Sequence, residues 1–264
     1  MAMTARERAR VSKIAQIAIF IIVVAILLIS MNWPKVLDSF FAFDKIGPMF
    51  PDLLIVGLKN TIFYTAISFA FGLTLGLILA LMKMASFGPY RWFATGYIEF
   101  FRGVPALLVL LALGYGLPSA FPEAKWPYAV VVMVSLGLVA AAYIAETLRA
   151  GLQAVPKGQT EAARSLGMPA WRAMVTIVIP QAFRIVLPPL TNEIILLTKD
   201  TSLAFILGSV AGQYELTKFG RDGITSLGAG ITPLVVAGAV YLVITVPLSL
   251  LTRRMESKTG RGKR

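Results

Sequence analysis

The chain has 264 residues, 57% of them hydrophobic and 14% charged, with a mean hydropathy of +0.77; a soluble domain of this size carries far more charge. It contains no cysteine and no histidine, which excludes disulfides, thiolate or imidazole metal ligands, and Ser–His or Cys–His nucleophile pairs. The net charge of +12 admits a nucleic-acid reading, but most Lys and Arg fall in segments facing one side of a membrane, which is the weaker case for nucleic acid and the stronger one for orientation.

A basic stretch, residues 1–13 with Arg6, Arg8, Arg10 and Lys13, leads into a first apolar block at 14–30. Crossing a hydrocarbon core takes about 20 helical residues. A cleaved signal peptide has an apolar region of about 7–15 residues ending in small ones. This block is longer, and Met31-Asn32-Trp33-Pro34 is a poor cleavage site, so 14–31 reads as a retained transmembrane helix. The second block, 60–82, ends at Lys83 and carries Gly72 and Gly76, a small-xxx-small pair that lets another helix approach; glycines merely tolerated in lipid are the alternative. The third block, 92–117, has Glu99, Arg102 and Pro105 near its start, and the fourth, 128–148, ends in Glu146 and Arg149.

A long loop at 151–184 follows, then a fifth block, 185–207, containing Asn192, Glu193, Lys199 and Asp200. Its Pro188-Pro189 is expected to break the helix so that it bends or exposes backbone to a cavity, a merely tolerated kink being the alternative. A polar, Gly-rich link, 209–230, joins it to the last block, 231–251, and a basic tail, 253–264. Six crossings put both termini on one side. With the N-terminus inside, 17 Lys and Arg lie inside and 6 outside, so both termini and the long loop are expected in the cytoplasm.

The loop is legible from its punctuation. Pro156 suits the first turn of a helix, Gly167 suits the left-handed position just past a helix end, and Pro169 prevents continuation. A short helix over 157–166 is expected. A second follows, with Trp171, Met174, Val175 and Val178 on one apolar face, and Pro180 ends or kinks it. Small Ala162 and Ala163 beside charged Glu161 and Arg164 suit a cleft on another protein; an amphipathic loop resting on the membrane surface is the competing reading.

Glu161-Ala162-Ala163, then Gly167, then nine residues to Ile177-x-Ile179-Pro180, resembles the E-A-A loop of ABC importer permeases, with Ile179 where Leu is usual. The phrases Tyr97–Pro105, Ala142–Glu146, Gly158–Glu161, Lys199–Leu203 and Tyr214–Thr217 are similar to those of the polar amino acid uptake subfamily. The resemblance covers roughly 53–256. Thr198 departs from it, standing where an apolar residue is usual, as does the Gly-rich stretch 208–212. It implies an all-α membrane protein of the MetI-like type I importer fold, with five core transmembrane helices at 53–252 and the first helix outside that core. It also implies a coupling loop, 150–183, in which Glu161, Ala162, Ala163, Arg164, Gly167 and Pro180 engage an ABC ATPase.

No G-x-x-x-x-G-K-[ST] occurs, so this chain has no Walker A site, and no cofactor or metal is expected on it. The family implies a partner ATPase dimer that binds ATP and Mg, an extracytoplasmic amino-acid-binding protein, and a second permease subunit, identical or paralogous. The expected location is the cytoplasmic (inner) membrane of a prokaryote. The expected function is translocation of a polar amino acid, driven by the partner's ATP hydrolysis; the chain itself is not an enzyme. A stand-alone ion-coupled carrier is the alternative, and an intramembrane enzyme lacks a plausible constellation.

Charges inside a membrane are costly and commonly functional. Glu193 and Asp200, seven residues apart, share a helix face about 10 Å apart, with Asn192 and Lys199 on the adjacent stripe and Ser202 just beyond. Together these five form the expected substrate path, since a zwitterion needs groups of both signs; purely structural satisfaction of Lys199 and Asp200 is the other reading. Glu99 with Arg102, and Glu146 with Arg149, are i, i+3 pairs that can neutralise themselves and are read as structural or gating pairs, with substrate contact the lesser reading.

Overall fold

The computed structural model describes residues 5–260; residues 1–4 of the N-terminal segment and Arg261, Lys263 and Arg264 of the tail lie outside the described residues. There is no strand among the described residues. Lipid offers the backbone no hydrogen-bond partner, and a helix satisfies its own N–H and C=O groups. Helices α1 (Ala5–Ser30), α2 (Trp33–Phe40) and the single turn α3 (Phe50–Asp52) come first. A wide turn, Leu53–Leu58, leads into α4 (Lys59–Met84), followed by α5 (Gly88–Gly103), α6 (Ala106–Ala120) and α7 (Tyr128–Gln153). Then come the short α8 (Lys157–Ser165) and α9 (Ala170–Ala173), the long α10 (Ile179–Asp200), α11 (Leu216–Leu227) and α12 (Thr232–Gly260). Among the described residues, five helical stretches are long and apolar enough to cross a membrane, and α5 with α6 forms a bent pair.

The centre of the bundle is α4 against α7, running parallel. Tyr64 meets Tyr128 edge to face at 5.7 Å near one end, and Lys83 pairs with Glu146 at the other. Between them the small-residue pair makes the contact. A Cβ on Gly72 would lie 3.1 Å from that of Ala140, and one on Gly76 would lie 2.9 Å from the Ala141 carbonyl oxygen. Helix α10 returns antiparallel, with Val186 filling the space over Gly151 and Thr198 near Thr65. Tyr64, Leu110, Leu136, Ile144 and Leu197 form the buried centre where these helices meet α6. Helix α1 stands apart, with 0% of its apolar stretch buried. The following helix, α2, is clamped to the bundle, because Ser39 O accepts from the Ile231 N–H and from the Thr232 hydroxyl.

Four expectations are corrected. The third apolar block is two helices, bent by 101°, because Val104 precedes a proline and takes an extended conformation with ψ 130°. Pro188-Pro189 do not break the fifth block: α10 runs through both, with Pro188 and Leu190 buried against the bundle, a toleration that tertiary packing permits in membrane helices. Pro180 does not end the loop's second helix either. A wide turn at Met174–Val178 precedes it, and Pro180 sits in the first turn of α10, where its missing N–H is absorbed. The result is one helical stretch of 38 residues, Ala170–Leu207. Finally, the link 209–230 contains α11, which packs on α12 through close approach of Gly220 to Leu234 and Ala237.

Candidate functional site

Helix α8 projects from one end of the bundle. Its start follows Pro156, and its end is closed by two bonds: Gly167 N–H to Arg164 O at 3.0 Å, and Met168 N–H to Ala163 O at 3.1 Å. This pairing is a Schellman cap, and it requires the left-handed Gly167, at φ +82°. Ala163 is buried against the following segment, whereas Glu161, Ala162 and Arg164 face outward. Leu166 is 89% exposed and Trp171 70%. Pro180 lies further along, at the base of α10, and is exposed. The apolar face expected around Trp171 is thus mostly uncovered, with only Val178 of its four residues buried.

A cavity of about 440 Å³ opens where α5 bends into α6, walled by α7 and α10. Arg102, Tyr143, Glu193 and Asp200 line it. The 3.6-residue period puts Glu193 and Asp200 two turns apart on one face of α10, and both are half-buried. The guanidinium of Arg102 lies over the Tyr143 ring, 5.8 Å from its centroid, a cation–π placement that orients the charge without a carboxylate. The cavity therefore holds two acids and one cation, enough to meet both ends of a zwitterion.

The remaining substrate-path residues are not brought to this cavity. Asn192 is exposed on another face of α10. Lys199 and Ser202 line a separate cavity of about 300 Å³ with Thr217 and Tyr241. The two charge pairs also part company. Glu146 binds Arg149 at 2.6 Å and Lys83 from the neighbouring helix, and Arg149 also donates to Gln153 at 2.6 Å. Glu99 makes no ion pair among the described residues; Arg102 turns away from it into the cavity. Helical spacing alone could not show this, because the bend after Gly103 sets the direction of Arg102.

Sequence reasoning also passed over Glu215, which is fully buried. It caps α11, accepting from the backbone N–H groups of Thr217 and Lys218, the latter at 2.8 Å, and from the Tyr241 hydroxyl at 3.1 Å. Burial pushes its carboxyl up to about 7, against the pull of those donors. The available signal was the left-handed Gly228 twelve residues after Leu216, a helix stop that marks α11.

Residues 72–261 match the family described as "Binding-protein-dependent transport system inner membrane component". The arginine transport system permease protein ArtQ of Bacillus subtilis (strain 168) is 34% identical over 219 residues, covering 82% of this chain and 96% of that protein. The glutamate/aspartate import permease protein GltK of Escherichia coli O6:H1 is 35% identical over 227 residues, covering 83% and 99%. A solved structure described as "Crystal structure of an amino acid ABC transporter with histidines" superposes with a TM-score of 0.71 at 35% identity, over 79% of this chain and 94% of that one. The chain belongs to the binding-protein-dependent transport system inner membrane components and is an integral membrane protein, a polar amino acid ABC transporter permease of the type I importer fold.

Proposed function

We propose that this chain, in the inner membrane of a prokaryote with both termini cytoplasmic, passes a polar amino acid inward under the drive of a separate ATPase. The observation that carries the reading is continuity. The capped helix α8 is joined through Pro169 to one helical stretch, Ala170–Leu207, which bears Glu193 and Asp200 in the wall of the charged cavity. A force applied to the outward-facing Glu161, Ala162 and Arg164 is carried along that stretch to the cavity. An ATPase dimer that grips α8 differently in its open and closed states supplies such a force, and equal grip in both would shift nothing. ATP and Mg sit on that partner.

In this scheme Arg102 meets the substrate carboxylate and Glu193 the ammonium, while Asp200 remains for a donor on a polar side chain. Solute arrives from an extracytoplasmic binding protein, and a second permease subunit completes the path. The relatives named for arginine and for glutamate/aspartate transport support the amino acid class.

The test is reconstitution in vesicles with the co-purified ATPase and binding protein, followed by uptake of labelled amino acids. Uptake is expected to require ATP, and Glu161→Lys is expected to cut it by at least tenfold while membrane insertion is kept. Uptake by the permease alone under an ion gradient would overturn the reading in favour of a carrier that uses Glu193 and Asp200 as ion ligands.

A further inference from the structure

Toward the α8 end of the bundle, α4, α7 and α10 leave a groove of about 530 Å³. Its walls are apolar except for Gln153, the last residue of α7. The groove is open sideways: Leu81 is 55% exposed and Phe183 57%. We propose that it seats an acyl chain of an anionic phospholipid, with the phosphate held beside Lys83 and Arg149. This inference goes beyond the transport reading and does not depend on it.

The charge balance at the rim carries the argument. Lys83 and Arg149 share the single carboxylate of Glu146, which leaves one positive charge uncompensated in a half-buried setting. The donors are not exhausted either. A guanidinium has five N–H groups and an ammonium three. Arg149 commits Nε and Nη2 to Glu146 and Nη1 to Gln153, and Lys83 commits a single bond to Glu146. Gln153 is itself held by Arg149 at 2.6 Å, so the polar end of the groove and the cationic cluster are one structure.

Position agrees with the charge. Lys83 lies in the last turn of α4 and Arg149 is four residues from the end of α7, the level at which long basic side chains reach the membrane interface. Basic sites between transmembrane helices at that depth attract anionic headgroups. The obvious protein rival is helix α1 of a second copy, which is unpartnered here. It carries no acidic residue from Arg8 to Ser30, so it would leave the surplus cation unmet, whereas a phosphate neutralises it.

The experiment uses the full chain in nanodiscs of equal phosphatidylglycerol and phosphatidylethanolamine, with lipids retained through purification counted by native mass spectrometry. A basic residue near the surface favours an anionic lipid by about fivefold, so about fivefold enrichment of phosphatidylglycerol is expected. Lys83→Gln should bring the ratio close to one, and Leu81→Trp, which fills the groove, should lower total retained lipid. A photoactivatable benzoylphenylalanine in place of Phe183, with the charges intact, should crosslink to lipid and do so more in phosphatidylglycerol than in phosphatidylethanolamine. Equal retention of both lipids, or a Phe183 crosslink to a second permease or another protein, would overturn the proposal; the crosslink decides the matter if Lys83→Gln fails to fold.

Discussion

At Gly76 a side chain would press within 2.9 Å of both the Ala141 carbonyl oxygen and Ile144, whereas Gly96, also helical, has open space around it. Alanine at the two sites should therefore act in opposite directions. Forcing α4 and α7 apart costs roughly 1–3 kcal/mol, while relieving helical glycine elsewhere gains roughly 0.5–1 kcal/mol. Gly76→Ala is expected to lower the thermal unfolding midpoint in detergent and Gly96→Ala to hold or raise it; equal shifts would show that the α4–α7 contact is not limiting. The sequence spacing exposed the pair at Gly72 and Gly76 but not its partner, since a small-xxx-small pattern says only that something comes close.

Glu215 gives a second residue-level expectation. Its folded value of about 7 lies above its ordinary 4.5, so the folded state binds its proton more tightly than the unfolded state does. The resulting stability is fully present below about pH 4.5 and is lost as pH rises through about 7. Unfolding midpoints measured between pH 5 and 8 should fall with rising pH in the wild type and flatten in Glu215→Gln. A wild-type slope unchanged in the variant would mean that another group governs this window. Nothing in the local sequence marks Glu215 as buried, because its side-chain partner Tyr241 comes from α12 and Thr61 of α4 holds the neighbouring Leu216 N–H.

Among the elements, the bend between α5 and α6 matters most, for it turns Arg102 toward the acids of α10. Val104 is extended because Pro105 forbids it the helical region, and the 101° bend follows from that one restriction. In Pro105→Ala the restriction is gone, and α5 and α6 are free to join in one helix. Uptake is expected to drop several-fold at normal membrane levels of the protein; full uptake would mean that packing against α7 maintains the bend without the proline. The same reasoning explains why Pro188-Pro189 mislead when read locally. Pro188 is buried where neighbouring helices hold α10 in place, while Pro189 faces outward, and a proline's local cost of about 3 kcal/mol does not decide the path of a helix held on its packed face.

For the whole molecule, the charge asymmetry makes orientation testable with unusual ease, since the chain has no cysteine. Ser165→Cys, at the last residue of α8, should react with an impermeant maleimide only in inverted vesicles. Lys125→Cys, between α6 and α7, should react only in intact cells stripped of their outer barrier. The reverse pattern would invert the topology and with it the proposed placement of the ATPase. A cysteine is tolerated at both sites because both are exposed.

The all-helical character of the apolar segments and the projecting α8 were determined by sequence alone, whereas the split of the third apolar block into α5 and α6 was not. A lipid environment leaves long apolar segments one economical backbone conformation, and the Pro156, Gly167 and Pro169 punctuation acts within a few residues of itself. Which charged groups share a cavity was decided only by the tertiary structure. Periodicity relates Glu193 to Asp200 because they ride on one helix, but it cannot relate either to Arg102, nor separate them from Lys199, nor bring Lys83 to Glu146. Those relations depend on how α4, α5, α7 and α10 are rotated and bent against one another, and that is settled by the close fit of Gly72 and Gly76 on α7 and by the turn at Pro105.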